Sequence, residues 1–451
     1  MIEKLAETML RFKENTAYVC KNEKLSFGEL YNRARDFAEK LKNDDFSPVA
    51  VIGGRNADTM AAILGCVFAK RAYVPIDISL PEERKNRIIS LSKAGTVIDC
   101  SKEKPAFEKT ENRAQTREEN KTAYIIFTSG STGEPKGVPI SYKNLDNFIE
   151  WITLLEPLDK FEHANVLNQA AFSFDLSTAA IYYALFCGHA IVQIENKNDF
   201  SGIIDTIKQN KPEVLVVTPT FIKLCLLDKC FCQKDFSFIK CIYFCGETLQ
   251  KSLCKAIFER FSDIRVINAY GPTEATSAVC AIEITKEMCE QEEILPVGKI
   301  SSAAAEIFIE NKEIMLKGKS VFAGYLGKDD DFSKGYPTGD LGCIENGRLY
   351  CFGRLDSQIK YKGYRIELLE IENNICAVKG VENCAVIAKR NEHGEVRMIK
   401  AFYSGKAAEE EIRAALLQKL PEYMIPKTIK KLENLPVSTN GKTDRKELEK
   451  L

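Results

Sequence analysis

Up to about residue 350 the chain alternates short apolar runs with stretches of helical period. In KLSFGELYNRARDFAEKLK the apolar positions Leu30, Ala34, Phe37 and Leu41 share one helix face, and VAVIGG after it reads as a short buried strand. A helix through Ala61, Leu64 and Val67 then leads to the strand AYVPID. Further strands are expected at YIIFT, EVLVVT, KCIYFC and RVINAY, separated by helical stretches such as FIKLCLL and LCKAIFERF. Apolar strands alternating with helices predict an α/β fold with mostly parallel sheet flanked by helices. In such sheets ligands bind beyond the carboxyl ends of the strands. The unusual residues collect there: TSGSTG after YIIF, TPT after VLVV, CGE after IYF and YGPTE after VINA. Four polar motifs are therefore expected to face one crevice.

Beyond residue 350 the pattern changes. GRLDSQIKYKGYRIELLEIENNI reads as a strand-like segment entering an amphipathic helix, ENCAVIAKR and VRMIKAFY as a hairpin around Asn391 to Gly394, and AAEEEIRAALLQKL as a helix stopped at Pro421. This predicts a small α+β module. With the boundary placed at the polar turn by Asp356, the expected division is a large N-terminal domain over 1–355 and a C-terminal lid over 356–451.

A chain of 451 residues is too long for one ordinary core, which agrees with two domains. Lys and Arg number 63 against 64 for Asp and Glu, so no global field favours nucleic acid. Charges at Glu3, Lys4, Glu7, Arg11 and Lys13 break up any signal-peptide core, and nothing approaches the roughly 18 apolar residues of a membrane span. A cytoplasmic monomer without membrane insertion is expected. The sixteen cysteines are scattered, many in apolar runs such as those of Cys66, Cys187, Cys241, Cys245 and Cys384, and only three histidines accompany them. They read as small buried hydrophobes, and Cys230 and Cys232 are given no metal role.

The loop after YIIF is TSGSTGEPKG. Glycine lets backbone N–H groups approach phosphate oxygens closely. The familiar phosphate loop requires GxxxxGK followed by Ser or Thr with the helix starting at the lysine. Here Lys136 precedes Gly137, and the helix starts only after Ser141, an N-cap for the stripe Leu145, Phe148, Ile149 and Ile152. Taken alone, the segment reads equally as a phosphate loop of another design or as a connector.

Its companions decide. TSGSTGEPKG, NAYGPTEAT, YPTGD, GRLDSQIKYKGYRIE and LPVSTNGKTDRKEL, in that order over nearly the whole chain, resemble the adenylate-forming enzymes in the branch of amino-acid adenylation domains. LSFGEL and AYVPIDISLPEER extend the likeness, while LNQAAFSFDLS, VVTPTF and FCGETL are similar to the D-alanine:carrier protein ligases that charge the carrier used to decorate teichoic acids.

The resemblance implies ATP-dependent formation of an acyl-adenylate, then transfer of the acyl group to a thiol. It implies that Thr128, Ser129, Gly130, Ser131, Thr132, Gly133 and Lys136 hold the β- and γ-phosphates. Glu274, with Thr128 as a second candidate, would associate with Mg2+, which prefers few carboxylates and shared phosphate oxygens. Asn268 and Tyr270 would meet the adenine, within a segment that includes Ala269, Gly271 and Thr273. Asp340 would take the ribose hydroxyls, with Arg354 near the same sugar. Without the surrounding match, Asp340 reads as a turn aspartate beside Gly339. Lys442 is a solvated surface charge by its local context, and only the match of VSTNGKTDRKEL makes it the catalytic lysine. Asp356 corresponds to the hinge of the lid.

By the same resemblance Asp175 pairs the substrate ammonium, and Cys245 lies against its α-carbon and side chain. Leu176, Ala179, Tyr243, Ala269, Gly271, Ser277 and Ala278 would line the pocket. Tyr243 and Ser277 depart from the aliphatic residues expected in a pocket for a methyl group. D-alanine is thus the first expectation, with serine, glycine or L-alanine in a stand-alone peptide-synthesis adenylation enzyme as the alternative. The chain continues only ten residues past Gly441, so the acceptor is expected to be the phosphopantetheine thiol of a separate carrier protein. A catalytically silent scaffold is opposed by intact Lys442, Asp340, Glu274 and glycine loop. The hairpin before YPTGD, at IENKEIMLKG, is shorter than usual for the family and is read as a surface deletion.

Overall fold

A computed structural model describes residues 1–21, 23–42, 46–111, 121–130, 133–195, 199–301, 303–391, 394–436 and 445–451. The chain forms two compact units, one from 1–78, 91–126 and 138–353, the other from 79–90, 127–137 and 354–451.

The first unit is built on an eight-stranded sheet. Its order is Cys280–Ile284, Arg265–Tyr270, Cys241–Phe244, Val214–Val217, Asn165–Asn168, Ala190–Gln193, Thr16–Cys20, Glu23–Ser26. The six inner strands run parallel and the two edge strands antiparallel. Strand alternation splits the core in two. Leu215, Val217, Ile242, Phe244 and Val266 pack on one face, and Val214, Val216, Cys241, Tyr243 and Ile267 on the other. A second, six-stranded sheet contains Val49–Gly53, Tyr73–Asp77 and Thr122–Thr128. The apolar runs therefore form strands as expected, but in two sheets. TPT, CGE and YGPTE follow three neighbouring strands of the first sheet, whereas TSGSTG follows a strand of the second.

Helix ends follow the polar signals. Ser141 accepts from the Asn144 N–H to start Tyr142–Thr153, and Ser26 forms a reciprocal box with Glu29 to start Phe27–Leu41. The helix Asp175–Cys187 is buried along almost its whole length, matching its lack of a polar face. It ends at Gly188, whose φ of +74° is left-handed and whose missing Cβ leaves room for the Phe12 ring. A five-stranded antiparallel sheet includes Tyr336–Glu345 and the short hairpin Glu306–Glu310 and Glu313–Lys317. Asn311 and Lys312 turn that hairpin with φ of +50° and +69°, the handedness of a two-residue turn.

The second unit holds the ribbon Gln358–Tyr361 and Tyr364–Glu367, then the helix Leu368–Cys376. A three-stranded sheet follows, of Val381–Arg390, Val396–Gly405 and Thr428–Lys431. Ile371, Ile375, Val386, Ile399, Ile412 and Leu416 form its core. No described helix is long and apolar enough to cross a membrane.

Candidate active site

Asp340 lies within the strand Tyr336–Glu345 and is buried. The Tyr270 hydroxyl donates to its Oδ2 at 2.8 Å, and its own N–H donates to Thr338 Oγ at 3.1 Å. A carboxylate in a dry site needs such donors. Burial, then the Asp340 charge, pushes the Tyr270 phenol well above its usual range, so it stays a proton donor. Asn268, two residues earlier on the same strand, donates from its side-chain amide to the Pro296 carbonyl at 2.8 Å.

The turn after this strand brings backbone against backbone. A Cβ on Gly271 would sit 2.5 Å from Ala278 Cα, which requires glycine there. Thr273 to Ala275 form a short 3-10 turn that holds Glu274 fully buried. Tyr325 Oη donates to Glu274 Oε1 at 2.7 Å. Thr276 and Ser277 follow in the left-handed region, φ +58° and +74°, with Thr276 Oγ donating to the Ser320 carbonyl at 2.7 Å.

Asp175 opens its helix, where the macrodipole favours negative charge. Leu176 and Ala179 follow it into the core. The Tyr124 and Tyr243 phenols are both held far above their ordinary range, chiefly by burial, and both register the Asp175 charge. Cys245 is buried and its Sγ donates to the Ser277 carbonyl at 3.8 Å. Asp175, Tyr243, Cys245 and Ser277 are thus part of one unit, with Cys245 and Ser277 in direct contact.

In the second unit the glycine loop leaves its strand at Thr128, whose hydroxyl is buried without a hydrogen-bond partner. Ser129 Oγ donates to the Arg365 carbonyl at 2.9 Å and accepts from the Glu367 N–H at 3.1 Å. The Gly130 N–H donates to Glu370 Oε2 at 3.1 Å. Gly133 turns the loop at φ +86°, its N–H donating to the Gly130 carbonyl at 3.0 Å. Lys136 opens the next strand, half-buried. Arg354 grips Asp356 with Nε and Nη2, each at 2.8 Å, and the Gln358 N–H adds a third donor. Burial works against the Asp356 carboxylate, but these donors hold it below its ordinary range. Ser131, Thr132 and Lys442 lie outside the described residues.

Residues 5–326 match the family model described as AMP-binding enzyme, and residues 370–442 the one described as AMP-binding enzyme C-terminal domain. The chain belongs to the AMP-binding enzymes. It is an AMP-forming ligase by this membership and by its full-length relatives. It is 36% identical to the D-alanine--D-alanyl carrier protein ligase of Bacillus licheniformis, over 99% of each chain. It is 33% identical to the protein of that name from Bacillus anthracis, over 99% of this chain and 98% of the other. Among solved structures it is similar to the Vibrio cholerae adenylation domain AlmE in complex with glycyl-adenosine-5'-phosphate. That match has a TM-score of 0.86 at 21% identity, covering 99% of this chain and 96% of that one. It is also similar to o-succinylbenzoate CoA synthetase (MenE) from Bacillus subtilis, with a TM-score of 0.83 at 20% identity, over 99% and 98% of the two chains. At these identities the solved structures speak for the fold alone.

Within this AMP-binding enzyme, three partners escaped the sequence reading: Tyr325 on Glu274, the Tyr270 hydroxyl on Asp340, and Glu370 on the Gly130 N–H. Tyr270 lay in a motif already singled out, NAYGPTEAT, and Glu370 just beyond GRLDSQIKYKGYRIE, whereas Tyr325 had no such signal.

Proposed function

We propose that this ligase activates a small amino acid of alanine size as its adenylate and passes the aminoacyl group to the phosphopantetheine thiol of a separate carrier protein. The observation that carries this reading is the likeness over 99% of the chain, at 36% and 33% identity, to proteins named D-alanine--D-alanyl carrier protein ligase, with Asp175 at a helix start in the same unit as the buried Cys245–Ser277 contact. By the family resemblance the Asp175 carboxylate would meet the substrate ammonium, an attraction of opposite charges. The relatives' names, D-alanine--D-alanyl carrier protein ligase, support D-alanine as the first substrate to test.

In the first step a substrate carboxylate oxygen attacks the α-phosphorus of ATP and pyrophosphate leaves. In the second a carrier thiolate attacks the acyl carbon and AMP leaves. Asp340, held by Tyr270, would offer acceptors to the ribose hydroxyls, and Asn268 and Tyr270 would border the adenine; the role of Arg354 near the sugar is what the family resemblance implies. Thr128, Ser129, Gly130, Ser131, Thr132, Gly133 and Lys136 would cradle the leaving pyrophosphate through amide, hydroxyl and ammonium donors, the Ser129 hydroxyl and the Gly130 N–H exchanging Arg365 and Glu370 for phosphate oxygens. Lys442 brings positive charge to the carboxylate and α-phosphate, and Asp356 is the pivot of the unit that carries it.

Taken each by itself, Glu274 and Thr128 are donors of the kind Mg2+ takes: the one is a buried carboxylate, the other a buried hydroxyl that lacks a hydrogen-bond partner, and both are hard oxygen donors. The ion, when bound, would neutralise triphosphate charge. Amino-acid-dependent exchange of labelled pyrophosphate into ATP tests the proposal. Exchange with one or more small amino acids is expected; its absence with every one of them would return the chain to a non-catalytic nucleotide-binding role.

A further inference from the structure

Of the sixteen cysteines only Cys230 and Cys376 are exposed. Cys376 ends the helix Leu368–Cys376, and Glu372, four residues earlier, lies one turn away on the same helix face. Glu372 Oε1 accepts from the Val386 N–H at 2.6 Å, and its Oε2 accepts from Arg445 Nη2 at 3.0 Å. Arg445 Nη1 closes the set by donating to the Val386 carbonyl at 2.6 Å. Strand alternation puts Cys384 on the face of Val386 and Ala388, which pack with Ile371 and Ile375, whereas Ala385 and Ile387 belong to a separate cluster. From the Glu372–Val386 contact, four residues along the helix cover roughly 6 Å and two residues back along the strand roughly 7 Å. The matched steps end at Cys376 and Cys384, whose side chains meet.

The Cys384 thiol donates to a Cys376 thiolate, which outweighs burial and the Glu372 charge and brings Cys376 from 9.0 down to about 7. The same donation, then burial, pushes Cys384 far up. One sulfur is therefore an exposed nucleophile and the other a half-buried reserve. A second touching pair, Cys254 and Cys289, is only 0% and 1% exposed and so is sealed from solvent.

We propose that Cys376 and Cys384 are a peroxide-reactive dithiol, in which Cys376 takes the oxygen and Cys384 closes a reversible disulfide. The Cys376 thiolate attacks one peroxide oxygen, the O–O bond breaks, and hydroxide leaves to take up the displaced thiol proton as water. Cys376 is then a sulfenic acid, and no thiolate holds the Cys384 proton any longer. The Cys384 sulfur attacks the Cys376 sulfur, the S–O bond breaks, and the hydroxyl leaves with the Cys384 proton as a second water. Two thiols thus lose two hydrogens, and one peroxide becomes two waters. The bond fastens the end of the helix whose first turn holds Glu370 on the Gly130 N–H. This chemistry is independent of the acid that the ligase activates.

The test takes the full chain, reduced and then exposed to a few equivalents of hydrogen peroxide at pH 7, alkylates it in urea and digests it with trypsin without reductant. Cleavage after Arg365, Lys379 and Lys389 puts Cys376 in the peptide 366–379 and Cys384 in 380–389. Mass spectrometry is expected to find these two peptides joined, lighter by two hydrogens, and dithiothreitol to part them. Cys376 should be consumed about fivefold faster than Cys230, with Cys254 and Cys289 recovered in alkylated form. Cys384→Ser should leave a Cys376 sulfenic acid that dimedone traps, and Cys376→Ser should leave Cys384 reduced. Peptides that stay separate in the wild-type chain overturn the inference, and no variant is needed to see it. Joining of Cys254 to Cys289 at an equal rate overturns it too, by placing the reaction in the unfolded chain. Loss of the Cys384 thiol in Cys376→Ser overturns the order of attack.

Discussion

Arg84 Nη1 donates to Glu370 Oε1 at 2.7 Å, with the two side chains only 9% and 0% exposed. Oε2 of the same carboxylate accepts from the Gly130 N–H. One buried acid thus joins the segment 79–90, the glycine loop and the helix Leu368–Cys376 inside the second unit. Burial nonetheless lifts the Glu370 carboxyl above its usual range, with Arg84 and the Gly130 N–H pulling the other way. Desolvation therefore outweighs the pairing, and removing one partner should cost more than removing both. Arg84→Met and Glu370→Gln are each expected to lose about 3 kcal/mol of stability in urea, and the double variant clearly less than the sum. Additive losses would show that the two residues do not act together.

Tyr270 and Asp340 make the corresponding link in the first unit. Tyr270→Phe keeps the ring and removes the only change-sensitive atom, the hydroxyl on Asp340 Oδ2. The carboxylate that would hold the ribose then loses a fixed donor. The KM for ATP is expected to rise about fivefold with kcat changed less, at a stability loss of about 1–3 kcal/mol. An unchanged KM for ATP would detach this hydroxyl from nucleotide binding.

Elements of this fold were readable because they depend on near neighbours in sequence. VLVV and CIYF are apolar on both faces, as strands buried on both sides must be, and Ser141 caps a helix through atoms three residues away. The division of strands between two sheets was not readable, because strand order leaves no periodic trace. Nor were the partners of the loop: the Gly130 N–H finds a carboxylate 240 residues further on, and Ser129 meets Arg365 and Glu367. Composition and period are blind to such pairs. The motifs named Asp340 and Glu274 without showing that tyrosine hydroxyls, Tyr270 and Tyr325, hold them.

His189 gives the first unit an acid-sensitive point. The Ala164 N–H donates to His189 Nδ1 at 3.1 Å, so the ring proton sits on Nε2, which is buried without a partner. Burial, then His163, lowers its pKa from 6.5 to about 4. Below pH 6.5 the unfolded chain binds the proton and the folded chain resists it, so stability present above pH 6.5 is lost as pH falls towards 4. The loss between pH 7 and pH 4.5 is about 2–3 kcal/mol from this residue. Urea midpoints of the wild-type chain should fall over that window, and His189→Gln should flatten the fall. Parallel curves would place the acid sensitivity elsewhere.

Lys442 is the residue on which the proposed first step depends most. An ammonium is a compact point charge, suited to a phosphorus centre that gains negative charge as the carboxylate oxygen attacks. On the proposed mechanism ATP binding would draw on many other donors, whereas charge developing in the transition state would need this one at the reacting atoms. Lys442→Ala is therefore expected to lower pyrophosphate exchange by a factor of about 100 or more, and to leave the Kd for ATP within about threefold. Lys442→Arg keeps the charge but changes its shape, and should recover only part of the rate. Exchange at a near-normal rate in Lys442→Ala would remove this lysine from the mechanism, and a Kd that rises in step with the lost rate would reassign it to ground-state binding of ATP.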